Sequence, residues 1–173
     1  MAEEWIMENA HLRMCVSSLG GKVQSLFSRQ YQAPVLYENP AGGMFPMLPM
    51  ANRVAGNRFI FQGREIVLPR HHADAHFFLH GDGWLQCWDI IACGGDFCVL
   101  QLRRQHVCGF DYLAQIRYQL LRNQLIASLT LTTAVARLSP TAAVFIPFSP
   151  LISAARCSLP PVATGRKGNS TFL

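Results

Sequence analysis

Two short apolar runs flank Gln62-Gly63 in "RFIFQGREIVL", and two more flank Gly94-Gly95-Asp96 in "WDIIACGGDFCVLQL". Runs rich in β-branched and aromatic residues that close on a tight turn containing glycine favour an antiparallel hairpin, because glycine supplies the positive φ that such turns need. In "DYLAQIRYQLLRNQLIASLTL" the pair Arg122-Asn123 offers a further turn. There Leu113, Gln115 and Arg117 alternate only imperfectly with Ala114, Ile116 and Tyr118, which leaves a helix open as the alternative. Strands are expected over most of 12–28, 57–68, 84–92, 97–106 and 112–132. Short strands separated by regular turns predict an all-β chain, an antiparallel β-sandwich.

The chain has 173 residues, 50% hydrophobic and 14% charged, enough for one core of ordinary size. No stretch approaches the ~20 uninterrupted apolar residues of a membrane helix, and "MAEEWIMENAHLRM" lacks the basic-then-apolar order of a signal peptide. A soluble cytoplasmic protein with no membrane partner is the expectation. The six cysteines, Cys15, Cys87, Cys93, Cys98, Cys108 and Cys157, include no C-x-x-C pair and are read as free, mostly buried thiols. The net charge of +5 is uneven. Residues 1–132 carry 11 basic and 10 acidic side chains, whereas residues 133–173 carry four basic ones, Arg137, Arg156, Arg166 and Lys167, and no acid. The basicity belongs to the tail, and no basic face with interleaved aromatics points to nucleic acid.

Residues 71–84, "HHADAHFFLHGDGW", hold four of the six histidines. His72, His76 and His80 are spaced four apart, which on a helix would set them on one face for zinc together with Asp74 or Asp82. Phe77-Phe78-Leu79 would make that helix apolar all round, and Pro69 and Gly81-Asp82-Gly83 flank it, so extended chain ending in a turn fits better. At the rise of an extended strand three imidazoles in this pattern do not converge on one ion. His71, His72 and His76 are read as structural and no metal site is expected. His80 differs, because it directly precedes a glycine-rich turn where imidazole and backbone can both approach a ligand. Asn52 and Arg53 follow the proline-broken run "FPMLPMA" and precede a strand pair, so an amide and a planar cation leave one loop together. Such a pair suits vicinal hydroxyls, and equally suits a surface turn.

The stretch "PMLPMANRVAGNRFIFQGREIVL", followed by "FFLHGDGWLQCW", resembles the aldose 1-epimerase (mutarotase) family in its N-R pair, its G-x-R-F strand and its L-H-G ahead of a tryptophan. "GGKVQSL" is similar to that family's first hairpin, and the resemblance covers roughly residues 10–132. It implies a mutarotase-like supersandwich, here incomplete, and interconversion of the α and β anomers of an aldohexose with neither metal nor organic cofactor. It also implies that Asn52, Arg53, His80, Gly81 and Trp84 line the sugar site, with His80 in a supporting catalytic role. His71 and His72 are expected to point elsewhere.

The resemblance stops after Thr132. The family's second histidine, in a G-F-H-P motif, and its C-terminal glutamate are absent, because residues 133–173 contain no His, Glu, Asp, Tyr or Trp. Back-translated with any synonymous codon and read one base early, that segment can read H-R-G directly after Thr132, then P-Y-G-S-G-F-H-P-F-F-P-L-D, and later S-G-Y-W-P-E-G. The expectation is therefore a frame slip near Thr132 or Thr133, dividing the chain into a sandwich part, 1–132, and an out-of-frame, poorly ordered tail, 133–173, that leaves a sheet edge exposed. Three functions follow: an epimerase-like chain with little or no activity, a non-catalytic carbohydrate-binding module, and a metal-dependent hydrolase.

Overall fold

The structure, a computed structural model, describes residues 2–37, 43–71, 73–105, 110–133 and 144–147. His72, Cys108, Cys157 and the tail apart from 133 and 144–147 lie outside the described residues.

Two sheets form the body. The first contains β1 (Glu4–Glu8), β2 (Leu12–Ser17), β3 (Lys22–Ser28), the two-residue β4 (Ala33–Pro34), β5 (Met44–Met47) and β12 (Val144–Pro147), in the spatial order β1-β2-β3-β5-β12 with β4 on β3. The second has the order β11-β10-β9-β8, from β8 (Asp89–Cys93), β9 (Phe97–Gln105), β10 (Asp111–Leu121) and β11 (Gln124–Thr133). A separate two-stranded ribbon pairs β6 (Arg58–Phe61) with β7 (Arg64–Val67). Every strand pairing is antiparallel.

The expected turns close these hairpins. Gln62 and Gly63 both have positive φ, 49° and 74°, as the two central residues of a turn matched to strand twist do. The 112–132 region is a hairpin and not a helix. Tyr112, Ala114, Ile116, Tyr118 and Leu120 are buried, while the residues between them face outward, and the chain reverses at Arg122 (φ 54°). Alternation decides because each inward side chain meets the opposite sheet. Met7, Met14, Val16 and Val23 from the first sheet join Leu100, Leu102, Ala114, Ile116 and Tyr118 from the second in one core. One polar tie crosses it, the Tyr118 hydroxyl donating to the Gly21 carbonyl at 2.7 Å.

Two expectations need correction, and one stretch of the tail can be placed. The strand expected from residue 84 begins at Asp89, because Gly83–Leu85 forms a 3-10 turn whose Gly83 carbonyl accepts from the buried Trp88 indole at 2.9 Å. Of the four described cysteines, all free, only Cys98 is buried; Cys87 is exposed. Within the tail, Val144–Pro147 is extended and fully paired with β5, from Val144 opposite Met47 to Pro147 opposite Met44.

Candidate functional site

The loop leaving β5 and the histidine-rich loop leaving β7 meet at one end of the sandwich. Their junction begins at the buried Leu48, whose carbonyl accepts from the Gly83 amide at 3.0 Å. A Cβ on Gly81 (φ 67°) would lie 2.0 Å from that same carbonyl oxygen, so only glycine permits this approach.

Beyond Leu48, Asn52 and His80 clasp each other through two hydrogen bonds. The His80 amide donates to the Asn52 carbonyl at 3.0 Å, and the Asn52 amide donates to His80 Nδ1 at 3.0 Å. Both residues hold left-handed backbone, φ 63° at Asn52 and 60° at His80, a conformation costly for side chains with a Cβ and retained where surrounding contacts over-determine it. Because Nδ1 is an acceptor here, the proton of the neutral ring resides on Nε2, and the ring presents a donor beyond the clasp. Partial burial, then the charges of Arg53 and His71, hold the His80 pKa below its usual 6.5, which favours that neutral form.

Asp74 organises the other side. Its Oδ1 accepts from the amides of His76 (2.8 Å) and Phe77 (2.9 Å), and its Oδ2 lies 3.5 Å from the Arg53 guanidinium. These two backbone bonds, with Arg53 adding its charge, hold the Asp74 carboxyl below the usual carboxylate range. Arg53 is half-exposed, its guanidinium 5.9 Å from the Phe77 ring centroid. Asn57 ties the loops a second time, its Oδ1 accepting from the Phe78 amide (3.0 Å) and its Nδ2 donating to the His76 carbonyl (2.6 Å).

An aromatic wall stands beside the clasp. Trp84 stacks on Phe45 with centroids 5.6 Å apart, and His80 meets both rings edge-on at 6.3 and 6.0 Å. The Trp84 indole N–H donates to the carbonyls of Leu79 (3.1 Å) and Gly81 (3.0 Å), so ring surface remains as its contribution to a ligand. The sequence-based expectation that His71 points elsewhere does not hold. The His71 ring lies 6.0 Å from that of Trp84 and 5.5 Å from that of Phe78, and its Nε2 sits 2.9 Å from the Leu79 carbonyl. His71 and Asp74 form an isolated antiparallel bridge.

Below the loop lies a polar group that sequence reading missed. Asp82 Oδ2 accepts from Arg104 Nε at 3.1 Å and from Arg104 Nη2, and the buried Tyr112 hydroxyl lies beside the Asp82 carboxylate. Burial, then the charge of Asp82, pushes the Tyr112 phenol up. Arg104 lies on β9, 22 positions from Asp82 in the turn before Gly83, a spacing with no local pattern to reveal it. Among the described residues no three of His, Cys, Asp and Glu converge as metal ligands would.

The family model for aldose 1-epimerase matches residues 3–145. The uncharacterized protein YphB of Escherichia coli strain K12 is 32% identical over 155 residues, 85% of this chain and 52% of that protein. A crystal structure from E. coli K12, of a protein provisionally named an aldose 1-epimerase, superposes with a TM-score of 0.80 at 30% identity, over 87% of this chain and 53% of that one. A galactose mutarotase-like protein from Lactobacillus casei shares the fold, with a TM-score of 0.71 at 14% identity over 84% and 49% of the two chains. The chain thus spans about half the length of the relatives it matches.

Proposed function

The chain belongs to the aldose 1-epimerase family, and from that membership we propose that its two clasped loops form one half of a hexose site whose complete form interconverts α and β anomers. The observation that carries this reading is the Asn52–His80 clasp, which aims an Nε2–H donor past a wall of Phe45 and Trp84 with the Arg53 cation close by. Aromatic faces suit the C–H faces of a pyranose, while an imidazole N–H and a guanidinium suit its oxygens.

Anomer exchange needs a base to take the proton of the anomeric hydroxyl and an acid to protonate the ring oxygen. The ring then opens, the C1–C2 bond rotates, and reclosure gives the other anomer. With Nδ1 held by a backbone amide, His80 has no lone pair free for the base, so its role is to donate to a sugar oxygen. Arg53 stabilises negative charge as it develops on oxygen. Gly81, buried against the Leu48 carbonyl, shapes the loop that presents His80 at the proposed site.

The family's acid histidine and base glutamate have no counterpart among residues 133–173. In the shifted reading frame, the four codons that overlap Val144–Pro147 can read G-F-H-P, with the histidine codon at Ile146. Ile146 pairs with Phe45, the residue stacked on Trp84. A frame slip near codon 132 thus accounts for a chain that keeps a strand at this place and carries isoleucine where the acid belongs.

Isothermal calorimetry with D-galactose and D-glucose, joined to polarimetry, tests this reading. The 173-residue chain is expected to bind an aldohexose weakly, to lose that binding in His80→Ala, and to leave mutarotation at the solvent rate, since general acid-base help is worth about 10²–10⁴ in rate. A one-base correction is expected to restore exchange. Failure of the corrected chain to bind or exchange any aldohexose refutes the proposal. If the corrected chain binds without exchange, the molecule is a carbohydrate-binding module.

A further inference from the structure

Two free thiols stand directly opposite each other in the β8–β9 hairpin, where Cys93 pairs with Cys98. The hydrogen bonds fix which kind of pair this is. The Gly94 amide donates to the Phe97 carbonyl at 2.8 Å, so Gly94 and Phe97 form a hydrogen-bonded pair, and in an antiparallel ladder the next pair, Cys93 and Cys98, is of the non-hydrogen-bonded kind. Such a pair brings its Cα atoms to about 4.5 Å, within the range of about 4.4–6.8 Å that a disulfide spans.

Both side chains leave the inner face of the sheet. Cys98 is fully buried in the core, and Cys93, half-buried on the border strand β8, packs against that core. The turn between them is held from both sides. The Trp5 indole donates to the Gly94 carbonyl (3.1 Å), the Glu8 amide to the Gly95 carbonyl (2.8 Å) and the Leu120 amide to the Asp96 carbonyl (2.7 Å). The fold therefore brings the two sulfurs together before any bond forms. Their reactivity differs: burial, then the neighbouring Cys93 thiol, pushes the Cys98 thiol up to about 12, which keeps it protonated near neutral pH and leaves Cys93 to react first.

We propose that Cys93 and Cys98 form an oxidation site at which a hydroperoxide converts the two thiols into a disulfide across the β8–β9 hairpin. The Cys93 thiolate attacks one peroxide oxygen; an S–O bond forms, the O–O bond breaks, and the other oxygen leaves as hydroxide or alkoxide and takes up a proton. The Cys98 sulfur then displaces the hydroxyl from the Cys93 sulfenic acid. The S–S bond forms, the S–O bond breaks, and the Cys98 proton leaves with hydroxide as water. Each sulfur gives up one electron and the peroxide takes up two. The product staples the border strand to β9 at the end of β8 opposite the Gly83–Leu85 turn, and its formation does not depend on the proposed sugar chemistry.

The test exposes the folded 173-residue chain to hydrogen peroxide, alkylates the remaining thiols and digests with Asp-N and trypsin. Cuts before Asp89 and Asp96 and after Arg103 separate Cys87, Cys93, Cys98 and Cys108 from one another. Fragments 89–95 and 96–103 are expected to emerge joined by a reducible bond, formed at a rate independent of protein concentration. In a glutathione redox buffer the equilibrium constant for this link is expected to be at least about tenfold larger in the folded chain than in urea, because the fold already opposes the two sulfurs. In Cys98→Ala, peroxide is expected to leave a sulfenic acid on Cys93 that dimedone captures, whereas in Cys93→Ser the Cys98 thiol is expected to stay reduced. Three results overturn the proposal: Cys93 and Cys98 both still alkylated after a dose that oxidises the exposed Cys87, either thiol linked to a different cysteine, or a link no more favourable in the folded chain than in the unfolded one. Capture of Cys98 in Cys93→Ser, with Cys93 untouched in Cys98→Ala, overturns the order of attack.

Discussion

Replacing Asp82 with alanine removes the carboxylate that holds Arg104 beneath the His80 loop. Breaking a buried ion pair by deleting one partner costs roughly 3–5 kcal/mol when the remaining charge has no access to water. Arg104 retains 27% side-chain exposure and Asp82 10%, so water relieves part of that penalty and the expected loss is about 2–3 kcal/mol. In a chain of this size that lowers Tm by about 5–10 °C. The partial burial of both charges beside the Tyr112 phenol makes a second expectation possible. Removing both charges, in Asp82→Ala with Arg104→Met, should cost less than the sum of the single changes, with a coupling of at least about 1 kcal/mol. Urea unfolding of the four species in the cycle measures it. A loss below about 0.5 kcal/mol for Asp82→Ala, the range of ordinary surface substitutions, or strictly additive changes would show that the pair anchors nothing.

His80 should make the clasp pH-sensitive: its folded pKa is depressed, so its contribution is present above 6.5 and lost as pH falls through the lower folded value. Arg53 and His71 face it and oppose its protonation, and nitrogen NMR of the imidazole should report Nε2–H down to below pH 6.5, with protection of the Asn52 amide vanishing in step; an Nδ1–H tautomer refutes the clasp. Gly81→Ala, which forces a Cβ to 2.0 Å from the Leu48 oxygen at φ 67°, should cost more than about 2 kcal/mol in chemical denaturation, and a neutral outcome would mean that the two loops are not in contact. Tyr118→Phe strands the Gly21 carbonyl and should cost about 1–2 kcal/mol, with an unchanged unfolding midpoint as the refuting result.

The β6–β7 ribbon and the β10–β11 hairpin were legible because their information is local. A turn at Gln62-Gly63 or Arg122-Asn123 and the residues within ten positions of it specify which strands pair and in what register. β1, β5 and β12 left no comparable mark. Glu4–Glu8 alternates weakly and is a strand because β2 lies beside it, and Met44–Met47 is bracketed by glycine and proline. Composition places Trp84 in a strand, but the Gly83 carbonyl bonded to the Trp88 indole curls the chain there.

The same division runs through the candidate site. Residue chemistry made Asn52, Arg53 and His80 candidates without deciding between a ligand site and a surface turn, and the family resemblance implied that they line one site. It could not supply the bond from the Asn52 amide to His80 Nδ1, 28 positions away, nor the approach of His71 to Trp84, nor the Arg104 under Asp82. The sequence by itself determined the hairpins, the two-sheet class and the kinds of side chain at the site. Tertiary structure alone decided which nitrogen of His80 carries the proton, since that depends on where two loops come to rest when the sheets beneath them close on a shared core.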